Sequence, residues 1–129
     1  MEYDGRYNAF DLRRIVTYPL CTRANKVKLD DLVRPSDLDH LAFGLPESIC
    51  RDIETVAEAI AASRRAGRPV IIFTGAHLIK NGLGPLLADL VRRGAVTLVA
   101  GNCATAIHDF ELALIGQTSE NVPDALDKG

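Results

Sequence analysis

The chain has 129 residues, 47% of them hydrophobic, with 15 basic against 17 acidic side chains and a net charge of −2. That length and apolar content suit one buried core, and the balance of charge, without long runs of one sign, excludes the basic footprint of a nucleic-acid or anionic-membrane binder. Three cysteines, Cys21, Cys50 and Cys103, are odd in number and form no C-x-x-C pair, which argues against a disulfide framework or zinc knuckle and makes a reducing cytoplasm the expected compartment.

Met1 to Phe10 is polar and lacks the apolar stretch of a signal peptide, and no run reaches the ~18 apolar residues a membrane span needs. Residues 1–46 read as an irregular N-terminal arm, with a short strand possible at Ile15-Val16-Thr17-Tyr18 before Pro19 and no firm pattern from Asn25 to Val33. From Pro46 the pattern sharpens. Ile49, Ile53, Val56, Ala57 and Ile60 fall at helical spacing, Ser48 can cap the start, and Gly67 follows Arg64 and Arg65 at the stop.

Pro69-Val70-Ile71-Ile72-Phe73 is a continuous apolar run rich in β-branched residues, the pattern of a strand covered on both faces. Leu83, Leu86, Leu87, Leu90 and Val91 then repeat with helical period, with Pro85 in the first turn and Gly94 as terminator. A second covered strand is expected at Val96-Thr97-Leu98-Val99-Ala100, turned by Gly101-Asn102 into a last helix with Cys103, Ala106, Ile107, Phe110 and Leu114 on one face. A crossover this short implies two parallel, adjacent strands. The fold class is therefore α/β, a partial Rossmann-like doubly wound parallel sheet: a β-α-β-α fragment preceded by a helix and the arm. Residues 47–122 form this unit and 123–129 a tail. Two parallel strands leave open edges, so the reading expects a truncated frame, with completion by other chains as the lesser option.

Ligands of open parallel sheets settle beyond the carboxyl ends of the strands, where helix amino termini point. Two turns occupy that position. Thr74, Gly75, Ala76, His77 and Leu78 open the first, which runs on through Lys80 to Gly84; it is glycine-rich but matches neither G-x-G-x-x-G nor G-x-x-x-x-G-K-[ST], and Gly82 and Gly84 equally suit a tight helix entry. The second holds Gly101, Asn102, Cys103 and Ala104, with Asn102 or Thr105 suited to cap the helix. His108 and Asp109 follow in what reads as the first turn of that helix, facing the mouth of the sheet, where His suits proton transfer and Asp can orient a cation or ribose hydroxyl. They are the candidate catalytic pair. A thiol at a helix start can be activated, but Cys103 falls on the apolar face and reads as packed and inert. No two of His40, His77 and His108 share a helix face, so no metal site is expected and a phosphate-ester hydrolase built on His108 and Asp109 is the weaker option.

Thr74 to Leu83, Leu87 to Gly94 and Val99 to Glu111 together resemble the deoxyhypusine synthase family and, more distantly, the ornithine-handling domain of lysine-oxoglutarate reductase/saccharopine dehydrogenase-like proteins. The likeness involves residues 69–122. It implies an NAD-dependent enzyme, transferase-like, that takes a hydride from a polyamine or amino-acid C–N carbon, passes through an imine and returns the hydride. By position it implies NAD contacts from Thr74, Gly75, Ala76, His77, Leu78, Gly101, Asn102, Cys103, Ala104 and His108. Ile107 and His108 stand where the family has an acidic pair, a departure that weakens polyamine recognition and leans toward the ornithine-handling relatives. The family's imine-forming lysine belongs to a later half that nothing here resembles, so the resemblance implies a chain inactive alone and, in the complete protein, a homotetramer. A non-catalytic α/β module for nucleotide binding or assembly is the alternative.

Overall fold

The computed structural model describes residue 5, residues 11–40 and residues 44–126; almost all of the polar N-terminal decapeptide and the last three residues of the tail lie outside these. Nine elements follow in order: β1 (Asn25–Lys28), α1 (Glu47–Arg65), β2 (Ile71–Thr74), α2 (Ala76–Lys80), α3 (Gly84–Arg92), β3 (Leu98–Gly101), α4 (Cys103–Ile115), β4 (Gln117–Glu120) and α5 (Val122–Leu126), with short 3-10 turns in the first forty residues. Among the described residues no helix is long and apolar enough to cross a membrane.

β2 and β3 pair in parallel, with Ile71 opposite Leu98 and Thr74 opposite Gly101, as the short crossover requires. Thr97 extends the ladder backward, because its hydroxyl accepts from Val70 N at 2.9 Å and donates to Val70 O at 2.9 Å. α3 connects the strands. Pro85 lies in its first turn, where a missing N–H costs nothing, and Gly94 leaves it at φ 70°, a conformation that L side chains avoid. Arg64 ties this stop to the end of α1, its Nε donating to Gly94 O and its Nη1 to Arg68 O, both at 2.7 Å.

The expectation that the strands are covered on both faces does not hold. Cross-strand partners share a face, so Ile71, Phe73, Leu98 and Ala100 stand together, and Phe73 is 82% exposed, Leu98 50% and Ile71 47%. The opposite face, with Ile72, Val99 and Gly101, carries the helices, and among the described residues the buried apolar side chains are few: Ile79, Leu87 and Val96. At ~1.5–3 kcal/mol for each fully buried side chain, so small a core leaves the fold dependent on its hydrogen bonds and caps.

The arm and the segment after α4 also depart from expectation. Asn25–Lys28 forms a strand, and the polar segment Gln117–Glu120 pairs with it antiparallel, Val27 opposite Thr118. No strand forms at Ile15–Tyr18, where backbone bonds instead close turns on either side, Arg14 N to Asp11 O and Thr22 N to Pro19 O. Ser48 does not cap α1: Pro46 is the N-cap and supplies no side-chain bond. α2 is a further addition, a five-residue helix inside the glycine-rich turn, held by burial of Ile79.

Gly82 closes that turn at φ 84°, and its carbonyl accepts from Val33 N at 2.9 Å. An added Cβ would meet Asp31 O at 3.0 Å and Leu32 Cα at 3.4 Å, both backbone. Gly82→Ala is expected to destabilise the chain by about 1–3 kcal/mol, read as a lowered urea midpoint at unchanged slope; an unaltered midpoint would contradict this geometry.

Candidate functional site

The pairing of Thr74 with Gly101 ends both strands at the same level, so the two turns emerge side by side. Gly75 and Asn102 are neighbours across the rim: a Cβ on Gly75 would sit 4.0 Å from Asn102 Nδ2. Thr105 sits between the turns, its hydroxyl 3.4 Å from Thr74 O and 3.3 Å from Asn102 Oδ1, while Asn102 Oδ1 accepts from Thr105 N at 3.1 Å and caps α4. That cap contributes about 1 kcal/mol and fixes where the helix begins. Gly101 has no room for a side chain, since a Cβ would lie 3.0 Å from Thr105 Cβ. Gly75 differs. Its φ is −99° and its Cβ direction is otherwise open, so neither conformation nor packing in this fold demands glycine there.

Beside the rim a cavity of about 500 Å³ opens between α3 and α4. Asn102, Thr105 and Asp109, a stripe at helical spacing on α4, give it a polar wall, and Leu87 and Val91 of α3 with Val99 of β3 give it an apolar one. Asp109 is thus placed with Gly101 and Asn102. Thr74, Gly75, Ala76, His77 and Leu78 stand at the rim or on α2 and do not line the cavity; His77 is exposed. Cys103 is also exposed, on the α4 face with Ile107, Phe110 and Leu114, rather than packed as the apolar pattern implies, because Leu20 borders that face without closing it.

His108 is not in the first turn and does not line the cavity. α4 begins at Cys103, which puts His108 in the second turn, about 100° around the axis from Asp109. Its Nδ1 lies 2.7 Å from Thr118 Oγ1 on β4. The expected pair is therefore split between two surfaces. Thr118, fully buried, donates to Glu111 Oε2 at 2.6 Å, and Arg23 Nη2 lies 2.8 Å from Glu111 Oε1. Arg23 Nε and Nη2 are both buried without a well-aligned hydrogen bond, so the guanidinium is held at Glu111 by charge more than by a directed bond. Burial raises the Glu111 pKa, but the hydrogen bond from Thr118, the close contact and charge of Arg23 and the charge of His108 outweigh it, leaving the carboxyl below its ordinary value of 4.5. Glu111 three residues after His108 is a spacing visible in sequence; Arg23 and Thr118 carry no such signal, because a loop arginine and a polar strand join the cluster only through the β1–β4 pairing.

No known protein-family profile matches this chain, and no solved structure matches it. Over 64 residues, 50% of its length, the chain is 36% identical to the bifunctional arginine dihydrolase/ornithine cyclodeaminase AgrE of Nostoc sp. (strain PCC 7120). The similarity spans 9% of that protein. It agrees with the ornithine-handling side of the resemblance and gives deoxyhypusine synthase no support.

A carboxylate whose folded pKa is depressed contributes stability above its ordinary value that is lost as pH falls through the folded value. Glu111→Gln is therefore expected to flatten the loss of stability below about pH 4.5, and Glu111→Ala to cost about 2–3 kcal/mol at pH 7 by stranding Arg23 and Thr118. Urea unfolding across pH 3–7 reads both; parallel pH curves for wild type and Glu111→Gln would contradict the network.

Proposed function

We propose that the rim formed by Thr74-Gly75-Ala76 and Gly101-Asn102-Cys103-Ala104 is part of a nicotinamide-dinucleotide site in an enzyme acting on an amino-acid amine, on the ornithine-handling side of the resemblance. The observation that carries the reading is Gly75: a glycine that neither its φ nor its neighbours require, at the carboxyl end of a parallel strand and facing Asn102 across the rim. Absence of a side chain there leaves room for a ligand to approach the backbone. The likeness to AgrE supports an amino-acid substrate, and the departure at Ile107 and His108 disfavours a polyamine.

In this reading the backbone amides of Gly75, Ala76, Cys103 and Ala104, with His77 and Leu78 behind the first turn, hold the dinucleotide, and Asp109 in the cavity orients a ribose hydroxyl or the ammonium of the substrate. NAD, when bound, supplies hydride acceptance from a C–N carbon. The chain's own residues bind, orient and exclude water.

Gly75→Val should leave the melting transition within about 0.5 kcal/mol of wild type and weaken saturable NAD binding at least about tenfold, measured by calorimetry. Absence of dinucleotide affinity in the wild type, or equal affinity in the variant, would refute the reading.

A second reading, assembly, is favoured by the open sheet face. Phe73 at 82% exposure beside Ile71 and Leu98 is an apolar patch flanked by strand edges without a partner among the described residues, and a second copy of the chain can supply both cover and edge pairing. Light scattering should show a concentration-dependent oligomer that Phe73→Asp converts to monomer; a wild-type chain monomeric at high concentration would rule this out.

A further inference from the structure

The polar network on the other side of α4 has a direction, and the direction fixes a proton. A threonine hydroxyl has one hydrogen to give. Glu111, held as a carboxylate beside Arg23, only accepts, so the 2.6 Å bond from Thr118 Oγ1 to Glu111 Oε2 uses that hydrogen. At the 2.7 Å contact between Thr118 Oγ1 and His108 Nδ1, the threonine oxygen is then the acceptor and the imidazole must donate. Neutral His108 therefore carries its proton on Nδ1, which leaves Nε2 with a free lone pair.

We propose that Arg23, Glu111 and Thr118 are positioning residues that hold His108 in the Nδ1–H tautomer, making its Nε2 a proton acceptor at a site separate from the dinucleotide rim. The ring is anchored on its Nδ1 edge, and 20% of the side chain remains exposed. The chemistry is a single proton transfer: an ammonium or hydroxyl donor gives its proton to Nε2 and keeps the bonding electron pair. The imidazolium so formed lies with Nδ1 3.8 Å from Glu111 Oε2, close enough for the carboxylate to stabilise the positive charge through and around Thr118. Arg23 keeps Glu111 ionised and fixed. Fully buried Thr118 sets the distance, since β4 pairs with β1 and cannot slide without losing the Val27 register.

The arrangement does not depend on dinucleotide binding, so its test stands apart from calorimetry with NAD. Two-dimensional nitrogen NMR of histidine side chains at about pH 8.5, well above the ordinary imidazole pKa of about 6.5, reports the tautomer directly. Wild type should show His108 protonated at Nδ1, while exposed His77 shows the Nε2–H preference of free histidine. Thr118→Ser, which keeps the hydroxyl, should retain Nδ1–H. Thr118→Val should release it to the free-histidine pattern, and if that variant does not fold, the wild-type and Thr118→Ser spectra decide the matter alone. Diethylpyrocarbonate, which acylates an unprotonated ring nitrogen, should modify His108 in the folded wild type at a rate within about tenfold of His77. An Nε2–H or averaged tautomer in wild type, or a His108 inert to the reagent in the folded chain, would overturn the proposal.

Discussion

Everything proposed for the rim depends on the parallel register of β2 and β3. A four-residue ladder that sets Thr74 opposite Gly101 delivers two loops, far apart along the chain, to one edge. A shift of β3 by one residue against β2 would turn Ala100 toward the helices and Gly101 to the open side while Phe73 and Thr74 kept their faces, so the two turns would no longer end at one level. The register is held from both ends, by the reciprocal Thr97–Val70 bonds where the strands begin and by the Thr105 contact to Thr74 O where they finish. Side chains that look incidental in the sequence therefore do as much to define the site as the glycines within it.

α4 distributes the chemistry. Successive residues advance about 100° around a helix, so neighbours in sequence face different surroundings. One stripe, Asn102, Thr105 and Asp109, borders the cavity at the rim. A second, His108 and Glu111, meets β4 and is stabilised by Thr118 and Arg23. A third, Cys103, Ile107, Phe110 and Leu114, is apolar and exposed. The polar cavity wall, the His108–Glu111 cluster and an exposed apolar face are thus carried by one helix of thirteen residues and its N-cap without sharing a side chain.

Periodicity made the helix-strand-helix core readable. The apolar repeat from Leu83 to Val91, with Pro85 in the first turn and Gly94 beyond the end, gives a helix that buries Leu87, and the β-branched run at Val70–Ile72 leads into a strand by local propensity although one face stays open. β4 was illegible: Gln-Thr-Ser-Glu has no apolar alternation and becomes a strand through its pairing with β1. α2 was hidden because the glycines around it read as a loop, and only burial of Ile79 selects the helix. The rim was legible, since small residues after two apolar runs mark strand ends. Adjacent helix residues always lie about 100° apart, so His108 and Asp109 had to part; what the sequence did not show is the surface His108 meets, because Thr118 reaches it only through the pairing of β4 with β1.

The central claim is that the turns after β2 and β3 act as one dinucleotide-binding edge. Amide chemical-shift mapping during a titration with NAD tests it most directly. The account predicts that Gly75, Ala76, Gly101, Asn102 and Cys103 shift together along one saturation curve while amides of α1 and β1 stay still. Shifts confined to one of the two turns, separate curves for the two, or no saturable change at either would contradict it.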